Sequence, residues 1–166
     1  MIVVADASPL HYLVLCGQID VLSALFGEVV IPPAVLSELQ HPHAPAAVRE
    51  WSSNQPPWLR IRSPLQVDPN MRLGRGEAEG ICLAAEMTAD LLLIDDLRGR
   101  REAETRGLPI AGTLGVLAAA ADRDLLDLPA TIAKLRGTNF RIADRIVRKV
   151  LQDDAAQRGK DPGTTA

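Results

Sequence analysis

The chain has few of the residues that mark several common classes of protein. Cysteine occurs only at Cys16 and Cys82, without CxxC spacing, which argues against a zinc site and favours a reducing, cytoplasmic location. Aromatic residues make up 3% of the 166 residues, so the core must be built from Ala, Val, Leu and Ile. No apolar run approaches the roughly 18 residues of a membrane span. The short opening run also lacks the basic residues that precede the apolar part of a secretory signal.

Net positive charge is missing as well. The formal net charge is −3, so any nucleic-acid partner would have to meet a local basic surface. Arg98, Arg100 and Arg101 follow an acidic pair directly and are candidates for contacts with RNA phosphates. The ordinary alternative is that they form a solvated helix face.

Strands of the fully buried type are present, and they alternate with helical segments. The runs at residues 2–5 and 91–94 are wholly apolar, as is typical of parallel strands buried on both faces. The repeated order of strand and helix predicts an α/β sandwich with a central, mainly parallel sheet. Residues 1–152 are predicted to form one domain. The polar residues 153–166 are predicted to be a disordered tail.

Each of the two apolar runs ends on carboxylates. Asp6 follows the first run, and Asp95 and Asp96 follow the second. If the two strands are neighbours in a parallel sheet, these acids lie at the same edge, where α/β sheets place their sites. Glu38 is predicted on the sheet-facing side of one helix, and Glu77 at the head of the apolar stripe of another.

Such a cluster needs a positive partner, because carboxylates held within about 4–6 Å of each other repel. No Lys or Arg stands immediately beside Asp6, Glu38 or Glu77 in the sequence, so a divalent cation is the simplest neutraliser. Oxygen ligands without His or Cys favour Mg²⁺ or Mn²⁺, and such a site suits phosphodiester hydrolysis. The ordinary alternatives are a helix-dipole role for Glu77 and a turn at Asp95-Asp96.

Five short motifs occur in order along the chain. They are Val4-Ala5-Asp6-Ala7-Ser8-Pro9, Val30-Ile31-Pro32 leading into Val35-Leu36-Ser37-Glu38, Gly76-Glu77-Ala78-Glu79, Leu93-Ile94-Asp95-Asp96 with Gly99-Arg100, and Gly112-Thr113-Leu114-Gly115. With this set the chain resembles the PIN-domain family, in the branch related to the VapC-type toxin ribonucleases of toxin-antitoxin pairs. The similarity runs from Met1 to about Leu151.

The resemblance implies a Rossmann-like three-layer sandwich and a Mg²⁺- or Mn²⁺-dependent ribonuclease that cleaves single-stranded RNA. It also implies a homodimer and a cognate antitoxin protein as partners. The matching positions are the metal-binding and catalytic Asp6, Glu38, Glu77 and Asp95, the neighbouring Asp96, and the supporting hydroxyls of Ser8 and Thr113. Many relatives carry Asp where this chain has Glu77, so Glu79 remains a second candidate ligand. Its helical face, shared with Leu83, predicts that Glu79 is solvated.

Two other functions fit the acids at the strand ends. One is a non-catalytic, PIN-like binding module. The other is a phosphoryl-transfer domain of the receiver or phosphatase type, although Asp6-Ala7-Ser8 offers one acid where those types need an acidic pair or a DxD. A separate prediction concerns assembly: the Leu and Ala residues of segment 10–26 exceed what one sheet face can cover, which favours a two-fold interface.

Overall fold

A computed structural model describes residues 1–160 of the chain. The strands are β1 (Val3–Ala5), β2 (Val29–Ile31), β3 (Leu59–Ile61), β4 (Leu91–Leu93) and β5 (Ile110–Ala111). They form one parallel sheet in the order β3-β2-β1-β4-β5. β1 lies in the middle, with Val4 opposite Val30 of β2 and Leu92 of β4. The two apolar runs are therefore neighbouring strands, as the α/β prediction requires.

Helices connect the strands and cover the sheet. They are α1 (Ala7–Leu15), α2 (Val21–Phe26), α3 (Pro33–Leu39), α4 (Ala46–Ser53), α5 (Arg75–Glu86), α6 (Leu97–Thr105), α7 (Thr113–Ala121), α8 (Leu128–Arg136) and α9 (Asp144–Arg158). Within residues 1–160, no helix is both long enough and apolar enough to cross a membrane.

Both faces of the sheet are buried, and the alternation of side chains along β1 shows it. Val3 and Ala5 belong to the larger core cluster, which lies on the side of α1 and α7. Val4 belongs to the smaller cluster on the other face, together with Ile81 of α5. Burial of each such aliphatic side chain stabilises the fold by roughly 1.5–3 kcal/mol. An unbroken apolar run is the pattern that a strand covered on both faces requires, and the predicted α/β sandwich is confirmed.

The order of the strands creates the edge at which the acids meet. The chain moves outward from β1 through β2 to β3 and then returns to form β4 on the other side of β1. Sites in open α/β sheets lie at such reversals, outside the carboxyl ends of the strands. Asp6 follows β1 there, and its backbone N–H donates to the carbonyl of Leu93 at 2.9 Å. Asp95 leaves β4 two residues after Leu93, at the same edge.

The end of the domain differs from the prediction. Helix α9 continues to Arg158, so a disordered tail from residue 153 is wrong for residues 153–158. The Asp154 side chain is buried and pairs with Arg158 through Nε at 3.2 Å, and α9 packs on α7 and α8. These contacts hold a polar sequence in the helix. Residues 161–166, the rest of the predicted tail, lie outside the described residues.

The apolar surplus predicted for residues 10–26 is also absent. Leu10, Leu13 and Leu22 are fully buried within their own chain, and no large hydrophobic side chain of this segment is among the exposed ones. The reason is that α1 packs on α7 and α8 as well as on the sheet, and α2 packs on α7. Leu15, Leu25 and Phe26 are half-buried, and the homodimer remains a prediction based on the family resemblance.

Candidate active site

Asp6 is buried at the junction between β1 and α1. Its side chain is only 4% exposed, and it occupies the N-cap position of α1 without capping the helix. Within residues 1–160, its Oδ1 atom is buried and has no hydrogen-bond partner. Ser8 lies one residue inside the helix. A buried carboxylate oxygen without a partner is rare in proteins and calls for a ligand or a proton.

The surroundings of Asp6 disfavour its charged form. Burial is the main cause that raises its pKa, from 3.8 to about 7. Repulsion from Glu77, Glu38 and Asp95 adds to this rise, and the backbone N–H of Ala7 partly offsets it. A positive ion beside Oδ1 would reverse this balance, because it would favour the carboxylate.

Asp6 opens into a cavity of about 370 Å³, which we call the carboxylate cavity. Its wall includes Asp6, Ser8 and His11, with Glu38 from α3 and Glu77 from α5. Glu38 stays solvent-accessible at the cavity mouth, and Glu77 is half-buried. Three of the predicted carboxylates therefore face one cavity at the carboxyl end of the sheet.

The start of α5 fits closely against Glu38. The backbone N–H of Gly76 donates to Glu38 Oε1 at 3.1 Å, and a Cβ atom at position 76 would overlap this carboxylate. A side chain at position 76 would therefore displace the Glu38 carboxylate from this contact. Two residues earlier, at the N-cap of α5, the N–H of Gly74 donates to Glu77 Oε2 at 3.2 Å. Backbone N–H groups at a helix start favour negative charge, and these two hold both glutamates in the cavity wall.

The pKa values of both glutamates are raised. Burial raises the pKa of Glu38, and the Gly76 N–H partly offsets the rise. Burial also raises the pKa of Glu77, as does repulsion first from Asp96 and then from Glu38. The cluster as a whole thus favours proton uptake or cation binding over three free charges.

Asp95 has a different environment. Its Oδ1 accepts from the backbone N–H of Thr113 at 2.7 Å, and its Oδ2 accepts from the Thr113 hydroxyl at 2.6 Å. Burial raises the pKa of Asp95, while Thr113 and the guanidinium of Arg100 lower it. Asp95 is not part of the carboxylate cavity wall, but it is close enough to repel Asp6. Thr113 thus supplies a supporting hydroxyl to the site.

Asp96 serves as the N-cap of α6. Its Oδ1 accepts from the backbone N–H groups of Arg98 at 2.9 Å and Gly99 at 3.1 Å. The side chain is exposed and acts on the cavity through its repulsion of Glu77. In this structure Asp96 therefore caps the N-terminus of α6.

The three arginines of α6 differ in what they can offer RNA. Arg98 donates through Nη2 to the carbonyl of Arg72 at 2.5 Å, and Arg100 donates through Nη1 to the carbonyl of Ile94 at 3.0 Å. Both guanidinium groups are tied to the protein backbone. Arg101 is exposed, and among the three it has the most freedom to meet a phosphate.

The prediction that Glu79 is solvated is wrong. Glu79 is 8% exposed; its Oε2 accepts from the backbone N–H of Ala34 at 3.1 Å, and its Oε1 pairs with Arg75 Nε at 3.0 Å. Because α5 packs against α3 as well as the sheet, a second face of α5 is covered. Glu79 anchors the start of α3, and Glu77 is the glutamate that lines the cavity.

The carboxylates of this cavity have the chemistry to bind a hard divalent cation, but their present positions do not form a metal site. Asp6, Glu38 and Glu77 offer carboxylate oxygens, the donors that Mg²⁺ and Mn²⁺ prefer, and Asp6 Oδ1 is free to bind. Within residues 1–160, however, no three His, Cys, Asp or Glu side chains are already placed to hold a metal ion. Ligation would require the two glutamates to move toward Asp6.

Histidines near the site were missed by the sequence reasoning. His11, His41 and His43 are all the histidines of the chain, and they line a second cavity that shares His11 and Glu38 with the carboxylate cavity. The available signal was their spacing: His11 stands three residues after Ser8, and His41 three residues after Glu38.

A family model described as DUF3368: PIN domain matches residues 2–155. The chain belongs to the PIN-domain family. Its fold is similar to that of a solved PilT N-terminus domain protein, SSO1118, from the hyperthermophilic archaeon Sulfolobus solfataricus P2. The TM-score is 0.54 at 18% identity, over 72% of this chain and 93% of that chain. Identity this low supports the fold alone. No curated protein matches the chain significantly.

PIN domains are commonly nucleases that use divalent metal ions, and this PIN domain brings Asp6, Glu38 and Glu77 to the wall of one cavity. The family match covers every strand and most of α9. It therefore includes all of the residues that line the carboxylate cavity.

Proposed function

We propose that this PIN domain is a Mg²⁺- or Mn²⁺-dependent endoribonuclease that cleaves single-stranded RNA. The observation that carries the proposal is the buried Asp6, whose Oδ1 lacks a hydrogen bond within residues 1–160 and faces a cavity with Glu38 and Glu77 in its wall. A structural carboxylate would have found a donor. An oxygen left free beside two further carboxylates is the arrangement that a metal-dependent hydrolase needs.

The chain's own groups have separable roles in this proposal. Asp6, Glu38 and Glu77 would hold the ion, which when bound would acidify a water molecule and neutralise charge on a phosphate. Backbone N–H groups of α5 position both glutamates. Thr113 fixes Asp95, whose charge favours cation binding near Asp6. Asp6 must give up its proton to serve as a ligand.

The experiment is cleavage of end-labelled single-stranded RNA by the full chain with Mg²⁺, with Mn²⁺, or with a chelator. Cleavage is expected with either metal and not with the chelator. Isothermal titration with Mn²⁺ should show binding to the wild type and at least tenfold weaker binding to Glu77→Gln, which loses one charge from the site. Glu104→Gln is the matched control, because Glu104 is exposed on α6 and should bind the metal like the wild type.

A non-catalytic binding module is the second candidate. It is favoured by one observation: no three metal-ligating side chains in the described part of the chain are already placed around an ion. RNA that binds but stays intact with either metal would support this candidate against the ribonuclease.

We further propose that the chain is the toxin of a toxin-antitoxin pair, acting in the cytoplasm as a homodimer with an antitoxin protein as partner. The support is the resemblance of the five motifs to VapC-type toxins. Induced expression of the wild type in a bacterial host should arrest growth, and Asp6→Asn should not. Co-expression of a small protein encoded beside this gene should relieve the arrest; equal growth with wild type and Asp6→Asn would contradict the toxin role.

A further inference from the structure

A second cavity adjoins the carboxylate cavity. Its volume is about 500 Å³, and it shares His11 and Glu38 with the first. We call it the histidine cavity, and the residues that define it are His11, Leu15, His41, His43, Pro45 and Asn139. A ligand bound in the carboxylate cavity would therefore extend directly into the histidine cavity.

The walls of the histidine cavity are planar and apolar. The rings of His41 and His43 lie 5.1 Å apart at 68°, and the Nδ1 of His41 accepts from the backbone N–H of His43 at 3.1 Å. His11 packs edge-on against Tyr12, with ring centroids 4.7 Å apart. Unpaired bases stack on such rings in single-stranded RNA complexes. Leu15 adds an apolar surface beside them.

Asn139 supplies a directed donor to the same cavity. The Tyr12 hydroxyl donates to Asn139 Oδ1 at 3.0 Å, and Tyr12 itself packs against Phe140 with centroids 4.7 Å apart. This contact orients the amide. Among residues 1–160 no group accepts a hydrogen bond from Asn139 Nδ2, so the nitrogen is available to a ligand that offers an acceptor.

A metal ion is the less suitable occupant. Three histidines and Glu38 surround the cavity, but in residues 1–160 no three such side chains are placed to hold an ion. The combination of separated rings, an apolar side chain and an oriented amide matches a flat heterocycle with a polar edge.

We propose that the histidine cavity is a nucleobase subsite, which holds one unstacked base of the RNA while the adjoining phosphate lies over the carboxylate cavity. This inference rests on the proposed ribonuclease function. The Asn139 amide nitrogen donates to an acceptor on the edge of the base, either a ring carbonyl or a ring nitrogen. Because every base carries such an acceptor, the subsite holds any of the four bases.

The test measures binding of labelled U, C and A hexaribonucleotides by fluorescence anisotropy. The full chain carries Asp6→Asn so that the RNA stays intact. All three hexamers should bind. Asn139→Ala should weaken each of them by about tenfold, a typical loss for one directed contact. His43→Ala should also weaken all three similarly, because stacking tolerates every base.

Two further variants make the test specific. Asn139→Asp keeps an acceptor for Tyr12 but has no donor, so it should weaken every hexamer at least as much as Asn139→Ala does. Gln55→Ala is the matched amide truncation; Gln55 is exposed and precedes β3, at the opposite edge of the sheet, and its loss should change nothing.

The outcomes separate this inference from the proposed function. Unchanged affinity in His43→Ala, or in both Asn139 variants, overturns the base subsite even when the wild type cleaves RNA with metal. A wild-type chain that neither binds nor cleaves RNA overturns the ribonuclease and the subsite together. Circular dichroism of each variant shows that a lost affinity does not come from unfolding.

Discussion

The two central strands end on aspartates whose surroundings are opposite. Both oxygens of Asp95 accept hydrogen bonds from Thr113, and Arg100 stands nearby. Asp6 lies on the adjacent strand, is more deeply buried, and has an Oδ1 atom without a partner in residues 1–160. Strand order brought both acids to one edge of the sheet. The two aspartates therefore differ in their hydrogen bonding and not in their place in the sheet.

The difference shows that a protein can keep a carboxyl group in surroundings that disfavour its charged form. Thr113 holds the Asp95 carboxylate in place, so Asp95 repels Asp6 from a fixed position. The pKa of Asp6 is raised to about 7, because burial and the neighbouring carboxylates outweigh the Ala7 N–H that stabilises its charge. Perturbed groups of this kind gather at functional sites. In the proposed function, Asp6 would therefore bind the metal ion, and Asp95 would stay in place beside it.

The first prediction tests the binding role of Asp6. Asp6→Asn should lower metal-dependent RNA cleavage by at least about a hundredfold, because it removes a charged metal ligand from the site. The folded state should remain, since the amide has nearly the same shape as the carboxylate. Cleavage rates with Mn²⁺ measure the effect, and thermal melting checks the fold. Cleavage at the wild-type rate would remove Asp6 from the mechanism.

The second prediction uses the pH dependence of the metal-free chain. Because folding raises the pKa of Asp6 from 3.8 to about 7, the folded state holds this proton more tightly than the unfolded state does. The contribution of Asp6 to stability is fully present below about pH 4 and is lost as the pH rises through 7. Asp6→Asn removes this dependence, so the variant should be more stable than the wild type at pH 8 by of the order of 2 kcal/mol.

At pH 4 the two proteins should unfold at nearly the same denaturant concentration, since Asp6 is then neutral when folded. Urea unfolding at both pH values with a chelator present measures the difference. A variant that is less stable than the wild type at pH 8 would show that the Asp6 charge stabilises the chain.

The third prediction tests the support given to Asp95. Thr113→Val keeps the shape but removes the hydroxyl that donates to Asp95 Oδ2, and the backbone N–H contact remains. We expect a loss of about 1–2 kcal/mol in unfolding free energy and a fall in cleavage of roughly tenfold, because Asp95 then moves.

A matched control separates position from stability. Thr131→Val removes another buried hydroxyl, which donates to the carbonyl of Asp127 at 2.7 Å on α8. It should lower stability by a similar amount and leave cleavage unchanged. If both variants lost activity equally, the effect of Thr113 would be one of general stability.

The parts of this molecule that the sequence predicts are those set by local patterns. Two apolar runs ending at Asp6 and Asp95 predicted parallel strands buried on both faces, because such runs have no polar side to expose, and the structure pairs them as neighbours. The helical stripe headed by Glu77 predicted its place in the cavity wall. In both cases the signal spans fewer than about a dozen residues and needs no distant partner.

The parts that it missed depend on distant contacts. Glu79 accepts a hydrogen bond from the backbone N–H of Ala34, 45 residues away. Asn139 accepts one from the hydroxyl of Tyr12, 127 residues away. Periodicity along α5 assigned Glu79 to the solvent because it assumes that one face of a helix is covered. The packing of α3 on α5 breaks that assumption, and no spacing within α5 reveals it.

The last prediction concerns this pair of glutamates on one helix. Glu79→Gln keeps an oxygen that can accept from the Ala34 N–H but removes the charge that pairs with Arg75. Because the Arg75 side chain is 83% exposed, the ion pair contributes little. We expect a loss below about 1 kcal/mol in unfolding free energy and unchanged Mn²⁺ affinity.

Glu77→Gln, two residues away, should behave in the opposite way. Its side chain lines the carboxylate cavity under repulsion from Asp96 and Glu38, so losing its charge should leave the metal-free fold at least as stable while weakening Mn²⁺ binding. Calorimetric titration and urea unfolding of both variants measure the contrast. Weakened Mn²⁺ binding in Glu79→Gln, together with wild-type binding in Glu77→Gln, would assign the ligand to Glu79. That result would require α5 to turn in the metal-bound state, because Glu79 points toward the start of α3.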